Sequence, residues 1–150
     1  MNQDWQNWIL EHSKNKEWES VDKSTDKYFP RKYSYCTLHR NEVPFDKELD
    51  SYISSFIGHS DYINNEYVLI KYEVGDFIGK HKDEYGNNVV TYVCELQSSD
   101  CESNLIINDR ETNEAHYTID VSHEVKTIKS GTRISLSMFG RRKPGKTTLL

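Results

Sequence analysis

Apolar residues recur along this 150-residue chain at a helical period in the first 60 positions and at a strand period after residue 66. Trp5, Trp8 and Ile9 fall at i, i+3 and i+4, which predicts a short amphipathic helix in a polar opening stretch. Arg31 to Leu38 alternates around Tyr33, Tyr35 and Thr37 and reads as a strand. A second helix follows, with Leu49, Tyr52, Ile53, Phe56 and Ile57 on one face, Asp46 as the expected N-cap and Gly58 as the expected stop. Strands are then expected at Glu66 to Tyr72, Asn88 to Leu96, Asn104 to Ile107, Tyr117 to Val121 and Val125 to Ile128. Lys129-Ser130-Gly131-Thr132 has turn chemistry and leads into the alternating stretch Arg133 to Phe139. Short strands at close spacing, with no helix between them, predict an antiparallel sandwich or barrel.

Composition narrows the class. The chain is lean in hydrophobic residues, at 35%, and its mean hydropathy is -0.82, yet 10 Tyr, 5 Phe and 3 Trp can each bury a large area. One folded domain is therefore expected. No apolar run approaches the roughly 20 residues that span a bilayer, so no membrane partner is expected. The start, Met1-Asn2-Gln3-Asp4-Trp5, lacks the pattern of a secretion signal. Cys36, Cys94 and Cys101 are odd in number and without CxxC spacing. They argue against a disulfide scaffold or thiolate zinc site, and for a reducing, cytoplasmic location. Cys94, in a buried-looking strand, is expected as core packing. A net charge of -5 disfavours nucleic acid as a partner, and the basic Arg141-Arg142-Lys143 is expected to be solvated tail.

Candidate chemistry sits in the strand-rich half. In Tyr72-Glu73-Val74-Gly75-Asp76-Phe77-Ile78-Gly79-Lys80-His81-Lys82-Asp83, the last histidine and aspartate are two apart. On an extended segment they can present an imidazole and a carboxylate side by side. Alone, the pair is weak evidence, since polar residues at strand ends are common. A second histidine from another strand would complete a two-histidine, one-carboxylate face suited to iron(II), leaving positions for a chelating co-substrate and oxygen. Ser122-His123-Glu124-Val125 is read as the start of a hairpin whose return strand is Gly131 to Leu136. Arg133 on that strand could grip a carboxylate bidentately if it faces the same cavity. His116 is the alternative third ligand; His12, His39 and His59 have no partner pattern and are expected at the surface. Gly140 to Thr147 spells GxxxxGKT, but only three residues follow, too few for the helix a phosphate loop needs.

These segments resemble a known family. YEVGDFIGKHKD is similar to the YxxGxxYxxHxD signature of iron(II)/2-oxoglutarate-dependent dioxygenases of the prolyl 4-hydroxylase-like branch. HEVKTIKSGTRISL resembles their second signature, with His123 and Arg133 at the matching ten-residue interval. The resemblance covers about residues 66–140. It implies a double-stranded β-helix (jelly roll) core, with residues 1–60 as helical support and 141–150 as a tail to a single dioxygenase domain. It implies iron bound by His81, Asp83 and His123, and the C5 carboxylate of 2-oxoglutarate bound by Arg133, with Tyr72 and Ser135 assisting. O2 would be the second co-substrate, ascorbate a reductant, and a protein or peptide residue such as proline the substrate. Departures are Ile78 where an aromatic is usual, Glu95 where a tyrosine is common, and Asp100 to Asn104 in place of a Gly-Gly-Glu step. The short interval from Asp83 to His123 implies trimmed loops. Glu95 is expected to weaken co-substrate binding. Phe139, where nucleic-acid demethylases of the family carry a second arginine, disfavours that activity, and a non-enzymatic jelly-roll binding module is the alternative from another class.

Overall fold

The computed structural model describes residues 1–83, 88–99 and 105–143. Two helices, α1 (Gln3–Ser13) and α2 (Asp46–Ile57), precede most of the strands. In chain order the strands are β1 (Glu19–Lys23), β2 (Arg31–His39), β3 (Tyr62–Ile63), β4 (Glu66–Tyr72), β5 (Phe77–His81) and β6 (Val89–Gln97). They continue with β7 (Leu105–Ile107), β8 (Arg110–Thr112), β9 (Glu114–Tyr117), β10 (His123–Val125) and β11 (Arg133–Arg142). Every pairing is antiparallel, and the main path runs β8-β7-β10-β5-β2-β4-β11-β6-β9, with β1 beside β2 and β3 beside β11. This is a mainly β, nearly closed jelly roll with few helices.

Side-chain alternation sorts two cores. On β11, Leu136 and Met138 join Tyr67 and Leu69 of β4, Tyr92 and Cys94 of β6, and Leu49 and Ile53 of α2 in one cluster. That burial is why α2 carries a one-sided apolar stripe. The opposite face of the same strands supplies Tyr72 and Val93 to a second cluster, closed by Leu105 of β7 and Val125 of β10. The corner lies on β2, where Arg31 and Lys32 pair with β5 while Ser34 to His39 pair with β4. One strand thus feeds both layers.

Several expectations are corrected. Asp46 is the first residue of α2, and its N-cap position holds Phe45, which makes no capping bond. The Asp46 carboxylate instead accepts from Arg40 Nε at 2.9 Å and Tyr67 Oη at 3.0 Å. Gly58 does end the helix, at φ 97°, a left-handed conformation that glycine adopts without a Cβ penalty. The expected strand Tyr117 to Val121 is the end of β9 followed by a turn in which Val121 N donates to Thr118 O. The strand expected at Val125 to Ile128 is β10, His123–Val125; Ile128 bonds instead with Gly75 and Asp76 outside the ladders. β10 and β11 do not form a hairpin: β10 pairs with β5 and β7, whereas β11 pairs with β3, β4 and β6. Arg141 and Arg142, expected as tail, are the last residues of β11, paired with Ile63 and Tyr62. Gly140 likewise lies in that strand; Pro144 to Thr147 of the phosphate-loop lookalike, Asp100 to Asn104 and with it Cys101 lie outside the described residues.

Glu42 pins α1 to the entry of α2. Its carboxylate accepts from Lys16 Nζ at 2.8 Å, the backbone N of His39 at 2.7 Å and, when that nitrogen carries the proton, His12 Nε2 at 3.0 Å. Burial pushes the carboxyl up, but bonds from Lys16, His12 and His39 outweigh it and hold it at about 2. A folded-state value below the unfolded 4.5 contributes stability that is complete above that range and fades as pH falls toward 2. Glu42→Gln is expected to cost about 2 kcal/mol at pH 7. Urea unfolding of both proteins should show that difference shrinking below pH 4.

Candidate metal and anion site

β5 and β10 are antiparallel neighbours, and their register sets His81 directly opposite His123. Asp83 follows two residues beyond the end of β5. Its Oδ1 lies 3.3 Å from His81 Nε2 and 3.2 Å from His123 Nε2. One ligand atom from each residue falls within 4.8 Å of the others, a grouping that could hold a metal ion. Burial pushes the Asp83 carboxyl up, but bonds from His123 and His81 outweigh it and hold it well below the usual carboxylate range. The carboxylate is therefore ready as an anionic ligand at neutral pH.

Backbone carbonyls orient both imidazoles in the same way. His81 Nδ1 lies 2.8 Å from Gly79 O and His123 Nδ1 lies 3.0 Å from Val121 O, each carbonyl two residues upstream. A proton on Nδ1 satisfies each carbonyl, so a metal ion that displaced the proton each Nε2 shares with Asp83 would meet an Nε2 lone pair on both rings. Gly79 is required for a second reason. Its N donates to Pro30 O at 2.8 Å, and a Cβ there would meet that oxygen at 2.9 Å. The close approach brings the β1–β2 connection against the site, where Phe29 stacks on His81 with ring centroids 4.0 Å apart. Tyr117 lies against His123 at 4.4 Å. None of these supports was foreseen; periodicity carries no sign of a carbonyl or ring brought in from another segment.

The three donors border a cavity of about 160 Å³ that Arg133, Tyr72 and Ser135 also line. All the site residues expected from sequence are thus brought to one cavity. His81 and Asp83 keep 14% and 12% of their side chains exposed, while Arg133 keeps none. Arg133 opposes Tyr72 across the β11–β4 ladder, and its guanidinium carbon sits 5.1 Å from the centre of that ring. Burial pushes the Tyr72 hydroxyl up, and the Arg133 charge offsets only part of that. Ser135 and Ser137, small residues on the same face of β11, line the space beyond. His116 is not part of the group: it is exposed on β9 and packs edge-on against Phe56. Of the other histidines, His39 and His59 are exposed, whereas His12 is half-buried, stacked on Trp8 and beside Glu42. Cys94 is buried in the helix-side core.

Arg133 is paired, but incompletely. Its Nε donates to Glu95 Oε2 at 3.0 Å, within a side chain that is 7% exposed. Nη1 and Nη2 are buried and have no hydrogen-bond partner among the described residues. Buried donors without acceptors are costly, so two on one planar group mark a place for a hydrogen-bond acceptor. The donor set fits the implied ligands: two imidazole nitrogens and a carboxylate oxygen suit iron(II), and the guanidinium edge suits a distal carboxylate.

The fold is similar to that of solved 2-oxoglutarate–iron(II) oxygenase structures. A prolyl-4-hydroxylase from Pseudomonas putida is similar over 95% of this chain and 89% of its own, with a TM-score of 0.69 and 16% identity. An oxidoreductase of the 2OG-Fe(II) oxygenase family from Burkholderia pseudomallei covers 95% of this chain and 81% of its own, at TM-score 0.65 and 14% identity. A prolyl hydroxylase from Trichoplax adhaerens, in complex with a hypoxia inducible factor oxygen degradation domain peptide fragment, covers 93% and 90% at TM-score 0.55 and 13% identity. At such identities the likeness is one of fold. No protein-family model matches the sequence, and neither does any curated protein.

Proposed function

We propose that this chain is an iron(II)- and 2-oxoglutarate-dependent dioxygenase that hydroxylates a C–H bond of a protein or peptide residue, with proline the first candidate. The observation that carries the reading is the pairing of two kinds of unfinished coordination in one cavity. Three convergent donors, His81, Asp83 and His123, stand at one part of it, and two orphaned guanidinium nitrogens of Arg133 at another. A ligand with a chelating head and an anionic tail would complete both.

The chemistry that iron would supply is oxidative decarboxylation coupled to hydroxylation: 2-oxoglutarate, O2 and R–H give succinate, CO2 and R–OH. The protein's own part is to bind and orient. With Nδ1 protonated against Gly79 O and Val121 O, His81 and His123 would offer Nε2 to the ion. Arg133 would take the C5 carboxylate through Nη1 and Nη2, with Tyr72 beneath it and Ser135 beside it. Ile78, Leu105 and Val125 line the cavity and limit water. Asp26 accepts from the backbone N of Tyr28 and Phe29, which holds Phe29 on His81 and presents Tyr28 to solvent at 85% exposure. An exposed aromatic next in sequence to the ring on His81 suits a peptide substrate. Ascorbate is the expected reductant, and a reducing cytoplasm the expected setting; no described helix is long and apolar enough to cross a membrane.

The test is succinate release by iron-loaded protein with 2-oxoglutarate and a panel of proline-containing peptides, read together with a 16 Da mass gain on the peptide. Release that depends on both iron and 2-oxoglutarate supports the reading. Metal binding without any 2-oxoglutarate binding or succinate would favour instead a jelly-roll binding module, a reading that the Glu95–Arg133 pair keeps in play because it spends part of the arginine's charge.

A further inference from the structure

Arg133 does not meet its ligand as a free cation. Glu95 Oε2 holds its Nε at 3.0 Å, Ser98 Oγ donates to Glu95 Oε1 at 2.6 Å, and the two charged side chains are 0% and 7% exposed. The β6–β11 register slips between Ile134 and Ser135, so Ser135 faces Glu95 while Ile134 faces Gln97. Both oxygens of Glu95 are engaged, and the pair as a whole is neutral. What remains unpartnered, in a side chain that lines the cavity, is the Nη1/Nη2 edge, which has hydrogen-bonding capacity without net charge behind it.

We propose that Glu95 is the residue that sets co-substrate specificity at the distal end of the cavity: it orients Arg133 through Nε and cancels its charge, so that the site accepts a neutral hydrogen-bond acceptor nearly as well as a carboxylate. The inference rests on the dioxygenase reading, in that it names the end of the cavity where a 2-oxo acid tail would dock. A carboxylate arriving at Nη1 and Nη2 gains the guanidinium but is repelled by Glu95 on the far side of the same group. At buried separations of a few ångströms that repulsion is worth about 10- to 100-fold in affinity. A neutral carbonyl tail gains the hydrogen bonds and feels little of the repulsion. In an arginine site without Glu95, the anionic tail would win by a wide margin.

Calorimetric titration of manganese-loaded protein, which cannot turn over, provides the test. The probes are 2-oxoglutarate and 2,5-dioxohexanoate, whose methyl ketone replaces the distal carboxylate at nearly the same shape. Wild-type protein is expected to prefer 2-oxoglutarate by less than about 10-fold. Glu95→Gln keeps an oxygen for Nε and removes the charge; it should bind 2-oxoglutarate about 10- to 100-fold tighter, change by less than about 3-fold for the ketone, and bind manganese as before. Glu95→Asp, which keeps the charge but draws it back by one methylene, should keep the acid-to-ketone ratio within about 3-fold of wild type even where both affinities fall. The proposal is overturned if the acid-to-ketone ratio does not open in Glu95→Gln, or if both ligands weaken together, as a purely structural prop would require. A wild-type preference above about 100-fold overturns it without any variant. Binding of 2-oxoglutarate with an unmoved ratio sinks this inference alone, whereas no binding by either protein sinks the dioxygenase reading with it.

Discussion

Asp83→Ala is expected to lower manganese or iron affinity by at least about 100-fold and to reduce turnover below about 1% of wild type. The carboxylate is the only oxygen donor of the three and the only anionic one, and it stands 3.2 and 3.3 Å from the two Nε2 atoms. Without it, two neutral imidazoles remain, and these hold a hard divalent cation poorly. The fold should survive. Asp83 lies beyond the end of β5, outside every ladder, so its removal takes away two side-chain hydrogen bonds and no core packing. Thermal unfolding of the metal-free protein should shift little, by about 1 kcal/mol. Equilibrium dialysis with manganese and a parallel melt separate the two effects; wild-type metal affinity in this variant would remove the metal assignment. Acidification should weaken metal binding in the wild type as well, because protons compete for the same imidazole nitrogens.

Arg133→Met carries the second large effect, and it acts on two quantities at once. Removing the guanidinium takes away both donors proposed for the co-substrate tail, so 2-oxoglutarate affinity should fall at least about 30-fold while manganese affinity holds. It also strands Glu95 at 7% exposure with no cation, which is expected to cost about 3 kcal/mol of folding stability. Adding Glu95→Gln to Arg133→Met should recover most of that stability, since the leftover charge is gone, but none of the binding. Denaturant unfolding of the three variants, with 2-oxoglutarate titrations alongside, reads both. Unchanged co-substrate affinity in Arg133→Met would place the tail elsewhere in the cavity.

Local periodicity was enough for the elements that bury one face. The stripe Leu49, Ile53 and Ile57 is α2, and the alternation of Ile134, Leu136 and Met138 against Arg133, Ser135 and Ser137 is β11 with its two sides in two environments. The strands that were misplaced, near Tyr117 and Ile128, are short ones whose ends are set by turns and by contacts with distant loops. His81, Asp83, His123 and Arg133, which border one cavity, were singled out for a different reason: their spacing resembles two signatures in the right order.

Adjacency was another matter. The expected hairpin from His123 to Arg133 does not exist, and yet both residues border one cavity, because β10 joins one layer and β11 the other. His81 meets His123 only through the β5–β10 register, and Phe29 reaches His81 only because Gly79 admits the Pro30 backbone. Glu95 stood out in the chain as an odd residue; that it caps the Nε of Arg133 and leaves two donors bare depends on a register slip between β6 and β11. Residue type and spacing report which groups can do chemistry, since those properties are local. Which groups share a cavity, which tautomer a carbonyl imposes and whose charge is already cancelled follow from non-local pairing and burial, and these arise only when the chain closes on itself.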